Sequence, residues 1–194
     1  MIVGVTGCPG SGKSTLAAVM RDEGWTLIDA DRVGREVVES DGIILAALAD
    51  AFGSDILGAE GQLDRRMLAG RAFADKASTA RLNAIVHPAL IERLKRDVYE
   101  AKKTIANTVI DCALIFEWGI EDVFDIVVCV RSGETLRTER LLMRDGRSEE
   151  EIADMFAAQI PEGEKAAKAK IVITNEGSIA QLTAFGKMLA CVRQ

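Results

Sequence analysis

Eight residues near the start, Gly7-Cys8-Pro9-Gly10-Ser11-Gly12-Lys13-Ser14, constrain this chain more than any other feature it has. They match the pattern GxxxxGK[ST], which has meaning only with a strand before it and a helix after it. Both flanks are legible. Ile2-Val3-Gly4-Val5-Thr6 is an apolar run, and residues 14–21 carry helical periodicity. Glycines let the backbone curl until successive N–H groups face inward as an anion nest. The helix that follows adds the partial positive charge of its N-terminus. Gly10, Ser11, Gly12, Lys13, Ser14 and Thr15 are therefore expected to cradle a nucleoside triphosphate. Lys13 reaches the β- and γ-phosphates in such a loop, and the Ser14 hydroxyl ligates Mg2+.

The rest of the chain has the alternation that this start requires. Thr26-Leu27-Ile28-Asp29, Asn107-Thr108-Val109-Ile110-Asp111, Asp125-Ile126-Val127-Val128-Cys129-Val130 and Lys170-Ile171-Val172-Ile173-Thr174 are short runs, nearly continuous in apolar character. Such runs suit parallel strands covered on both faces. Helical patterns fall at 41–52, 64–73, 77–103, 133–144, 148–158 and 178–192. The expected fold is α/β: a parallel sheet like that of nucleoside monophosphate kinases, covered by helices on both faces. A single domain is expected, with a nucleotide-binding core at 1–40, 104–132 and 170–194. Residues 41–103, helix after helix without a strand, read as an acceptor-binding insertion, and 133–169 as an arginine-rich helical lid.

Composition narrows the function. An acidic chain with net charge −6 and pI near 5.0 does not suit a nucleic-acid binder. No apolar run approaches the roughly 20 residues needed to span a bilayer. The first residues carry no basic, signal-like segment, so a soluble cytoplasmic chain is expected. Neither a membrane nor an obligate protein partner is implied. Cys8, Cys112, Cys129 and Cys191 lie far apart, and His87 is the only histidine, so zinc-ligand spacing is missing. Reduced, mostly buried thiols are expected instead.

Four further groups bear on the chemistry. Asp111 closes an apolar run, the position of an acid that holds magnesium directly or through water. Its alternative is an ordinary polar residue at a strand edge. Asp31, just past the second strand, either accepts a proton from an attacking hydroxyl or caps the next helix. Arg137, Arg140 and Arg144 share one helix face. They form either a lid over a transferring phosphate or a solvated face paired with Glu134, Glu139 and Asp145. No guanine-reading Asn-Lys-x-Asp and no Leu-Ser-Gly-Gly signature is present. A small-molecule kinase is the best class, ahead of a nucleotide-dependent switch.

With these residues in place the chain resembles the dephospho-coenzyme A kinase family. The resemblance runs nearly end to end in order. It takes in Thr6-Gly7 with Gly10 to Thr15, Ile28-Asp29-Ala30-Asp31 with Arg35, and Gly61-Gln62-Leu63-Asp64-Arg65-Arg66-Met67-Leu68. It continues through Leu82-Asn83-Ala84-Ile85-Val86-His87-Pro88 and Asp111-Cys112-Ala113-Leu114-Ile115-Phe116-Glu117. Arg140, Arg144, Gln159, Lys165 and Asn175-Glu176-Gly177 complete it. Ala113 stands where the family usually has proline, which implies a looser loop after the third strand; Lys170 stands where an acid is usual. The resemblance implies phosphorylation by ATP of the ribose 3′-hydroxyl of dephospho-coenzyme A, or else of another small metabolite or nucleoside monophosphate. It implies Asp31, Lys13 and Arg140 as catalytic, with Ser14 and Asp111 at the metal. It also implies Arg144 and Asn175 at the nucleotide, and Arg35, Asp64, Arg65, His87 and Glu117 at the acceptor.

Overall fold

In the computed structural model, residues 1–191 are described; Val192, expected in the last helix, and the end of the expected core segment 170–194 lie outside them. Five strands, β1 (Ile2–Thr6), β2 (Thr26–Asp29), β3 (Thr108–Asp111), β4 (Ile126–Arg131) and β5 (Ile171–Thr174), form one parallel sheet in the order β2-β3-β1-β4-β5. The central three are buried along nearly their whole length, which is why they read as unbroken apolar runs.

Helix α1 (Lys13–Asp22) follows the glycine loop, and α9 (Ile179–Ala190) packs against it. Leu16, Ala17 and Met20 of α1 meet Val3, Val5, Val128 and Val130 of the sheet and Leu182 and Leu189 of α9 in one core. Three helices, α6 (Glu134–Asp145), α7 (Glu149–Ala157) and α8 (Glu162–Lys168), connect β4 to β5. The Ser148 hydroxyl and Glu151 close a capping box at the start of α7.

Two compact units emerge. One comprises the sheet with 1–29 and everything from 98 onward; the other is helical and spans 30–97. The helical unit holds α2 (Ala30–Ser40), α3 (Gly42–Phe52), α4 (Arg65–Ala72) and most of α5 (Lys76–Lys102). It starts earlier than the expected 41–103 because α2, not read as a helix from the sequence, packs on α3 and lies against Leu90 of α5 at Gly34. Its own buried residues include Val33, Val37, Ile44, Leu48, Ile56, Leu68, Ala72 and Leu94. Among the described residues no helix is long and apolar enough to cross a membrane.

Candidate active site

The C-terminal edge of an open parallel sheet is where ligands bind in such folds, and the chain brings its chemistry there. β1 ends at Thr6 and the loop turns through Gly10 (φ 77°) and Gly12 (φ 101°), conformations closed to most L-residues. Space forbids a side chain as well. A Cβ at Gly10 would lie 2.7 Å from the Arg137 carbonyl oxygen, and one at Gly12 would run into Asn175 Nδ2. The glycines thus let neighbouring elements press against the outside of the loop.

Three residues hold it there. Asn175, 8% exposed just past β5, donates through Nδ2 to the Ser11 carbonyl at 2.7 Å. Arg140 on α6 donates through Nη1 to the Gly10 carbonyl (3.1 Å) and Ser132 Oγ (3.2 Å), and through Nη2 to the Asn175 carbonyl (3.1 Å). The buried Ser132 hydroxyl also donates to that carbonyl, at 2.9 Å. Asn175, expected at the nucleotide, and Arg140, expected as a catalytic residue, both bond to the loop backbone.

Lys13, the first residue of α1, holds its ammonium 3.8 Å from Asp111 Oδ1 and 3.5 Å from Ser14 Oγ. Asp111 ends β3 in register with Val5 on one side and Asp29 on the other. A hydroxyl, a carboxylate and an ammonium therefore converge at the mouth of the loop. Beneath them Cys8 is buried, and burial pushes its thiol up, so it stays protonated and neutral at pH 7.

The arginine face divides. Arg137 is only 5% exposed; its Nε donates to the Ser132 carbonyl at 2.9 Å, and its guanidinium stacks 4.3 Å from the Phe156 ring of α7. It joins α6 to α7 and, at 3.6 Å, to Glu162 of α8, rather than lying on a solvated face. Arg144 is exposed in the last turn of α6.

In the helical unit, Asp31 sits exposed in the first turn of α2, which starts at Ala30 directly after β2. Asp64 caps α4, accepting from Met67 N at 2.9 Å, while its own N–H bonds the Ile56 carbonyl at 2.7 Å. Arg65 donates through Nε to Glu39 at 2.9 Å and reaches the Arg35 carbonyl at 3.5 Å. His87 is half-buried within α5 beside Pro88, and burial lowers its pKa.

Glu117 belongs to the other unit. Its Oε1 takes the Lys165 ammonium at 2.8 Å and the Ile160 N–H at 3.2 Å. Lys165 is fully buried and also donates to Gln159 Oε1 (2.8 Å) and the Ala113 carbonyl (2.6 Å). Sequence reasoning gave Lys165 and Gln159 no role. Their spacing in the matched family pattern was the only signal that pointed to them.

The dephospho-CoA kinase family model matches residues 1–181. This chain belongs to that family. A dephospho-CoA kinase of Corynebacterium glutamicum is 40% identical over 188 residues, covering 96% of this chain and 94% of the relative. One of Deinococcus radiodurans is 40% identical over 195 residues, covering 99% and 91%. A crystal structure from Thermus thermophilus superposes with a TM-score of 0.77 at 33% identity, covering 100% of this chain and 98% of that one. The chain is a kinase, and ATP is its expected phosphoryl donor. The converging Lys13, Ser14 and Asp111, with the glycine loop, all belong to the sheet unit.

Proposed function

We propose that this chain transfers the γ-phosphoryl group of ATP to the ribose 3′-hydroxyl of dephospho-coenzyme A, giving coenzyme A and ADP. That is the last step of coenzyme A synthesis. The observation that carries the reading is the match over nearly full length to curated dephospho-CoA kinases, in a chain whose Lys13, Ser14 and Asp111 meet at the loop mouth. A cytoplasmic setting is supported by the buried free thiols Cys8, Cys112 and Cys129, which stay reduced there.

In the reaction the acceptor oxygen bonds to the γ-phosphorus while the bond from that phosphorus to the β–γ bridging oxygen breaks, and ADP leaves. The loop N–H groups and Lys13 bind the phosphates and offset the charge that builds on them. Hard oxygen donors, the Ser14 hydroxyl and the Asp111 carboxylate, fit Mg2+, which when bound would neutralise charge on the β- and γ-phosphates. Asp31 takes the hydroxyl proton. Arg140 keeps the Gly10 carbonyl turned outward, so that the loop N–H groups face the phosphates, and its remaining N–H groups serve the nucleotide with those of Arg144. Arg35, Asp64, Arg65 and His87 read as the acceptor side; the ion pair with Lys165 gives Glu117 a second role.

The test is ADP release with ATP and Mg2+, with and without dephospho-coenzyme A, with the 3′-phosphorylated product identified by mass. Acceptor-dependent turnover at about 1–100 per second is expected. No stimulation by this acceptor, with stimulation by a nucleoside monophosphate, would move the chain to a different substrate. Asp31→Asn should then lower kcat while ATP still binds; full activity would leave Asp31 as a residue of the helix start alone.

A further inference from the structure

We propose that Lys165 is a positioning residue for phosphoryl transfer, acting through the Ala113 carbonyl on the strand ends that carry Thr6 and Asp111. All three protons of its fully buried ammonium are placed, on Ala113 O at 2.6 Å, Gln159 Oε1 at 2.8 Å and Glu117 Oε1 at 2.8 Å. The Ala113 carbonyl accepts a second bond, from Thr6 Oγ1 at 2.9 Å. Thr6 is the last residue of β1, immediately before the glycine loop. Asp111 is the last residue of β3, two positions before Ala113, and the intervening Cys112 N–H bonds Val5 O at 3.0 Å. One carbonyl therefore ties the root of the phosphate loop to the loop that leaves the acid-bearing strand. The ammonium ties that carbonyl to the segment between α7 and α8.

Two physical points make this a matter of placement. Alanine at 113 leaves φ free where a proline ring would fix it. In the loop after β3 two donors, Thr6 Oγ1 and the Lys165 ammonium, bond the Ala113 carbonyl. A buried ion pair is also a poor device for stability alone, because apolar residues of similar volume often stabilise as well or better. What the ammonium supplies and a methionine lacks is direction: three short bonds that set where the Ala113 carbonyl sits.

The test uses Lys165→Met, Thr6→Val and the double variant Lys165→Met with Glu117→Gln, each shown to be folded at the assay temperature by circular dichroism. The readouts are kcat, KM for the acceptor, and ATP affinity by calorimetry without acceptor. Lys165→Met should lose roughly ten- to a hundredfold in kcat, the usual cost of misplacing reacting groups from a distance, and bind ATP more weakly. Thr6→Val should shift kcat and ATP affinity in the same direction by less. The double variant should regain thermal stability without regaining kcat. Unchanged kcat and ATP affinity in folded Lys165→Met overturn the proposal, as does recovery of kcat together with stability in the double variant. Should Lys165→Met not fold, Thr6→Val decides, and wild-type kcat and ATP affinity there overturn it. The calorimetric arm needs no acceptor, so its outcome is separate from the identity of the acceptor.

Discussion

The two units differ in how their polar side chains are held. In the sheet unit buried or half-buried side chains brace backbone carbonyls: Asn175 on Ser11, Arg140 on Gly10, and Thr6 and Lys165 on Ala113. In the helical unit the candidates are exposed side chains that pair with one another, such as Arg65 with Glu39 and Arg71 with Asp55. A triphosphate presents the same charge in the same place at every turnover, so a rigid, preoriented cradle serves it best. Exposed ion pairs hold little free energy. The Arg65–Glu39 pair can therefore open at small cost.

Breaking the rigid side should therefore cost most. Lys13→Ala should lower kcat by roughly a thousandfold, about 4 kcal/mol of transition-state stabilisation, because it removes the ammonium held beside Ser14 and Asp111. Steady-state kinetics checks it, and a loss confined to KM would move Lys13 from stabilising the moving charge to simple binding. Asn175→Ala comes next. It leaves the buried Ser11 carbonyl without its donor, which should cost about 1–3 kcal/mol in urea unfolding and weaken ATP binding with it. Unaltered ATP affinity would mean that the loop keeps its shape without this brace. On the adaptable side, Arg65→Ala should raise acceptor KM while leaving that for ATP alone, and should cost under about 1 kcal/mol of stability, as exposed pairs do. An unchanged acceptor KM would remove Arg65 from the acceptor side.

The same contrast sets what the sequence discloses. The glycine loop is legible because phosphate binding by backbone demands a fixed spacing, and the strands because burial on both faces demands unbroken apolar runs. Asp111 is legible as the acid that ends such a run. Helix α2 carries buried Ala30, Val33 and Val37 at helical spacing opposite a charged face, a pattern the sequence does contain. The settings of Arg137 and Lys165 are hidden for a shared reason. Long cations ordinarily lie in water, and only the fold reveals that Phe156 and Glu162 enclose one and Glu117 and Gln159 the other. Motif position marks Arg140 as catalytic and Asn175 as a nucleotide contact, but carries no information on which of their groups bond the loop backbone, as both do.

The smallest effect sharpens the comparison most on the helical side. His87 is half-buried, and that burial holds its pKa below the usual imidazole value. The unfolded chain, titrating near 6.5, therefore takes up a proton first as pH falls. Stability from this group is fully present above the unfolded value and is lost as pH falls through the folded one. Urea midpoints measured from pH 7.5 to 5.0 should decline more steeply in the wild type than in His87→Asn, because the variant lacks the proton-binding group. Carboxylates also titrate toward the acid end, but they contribute to both proteins and drop out of the difference. Parallel profiles would mean that α5 accommodates the imidazolium as readily as water does. A steeper wild-type profile would mean that His87 is neutral at pH 7, with one ring nitrogen a hydrogen-bond donor and the other an acceptor.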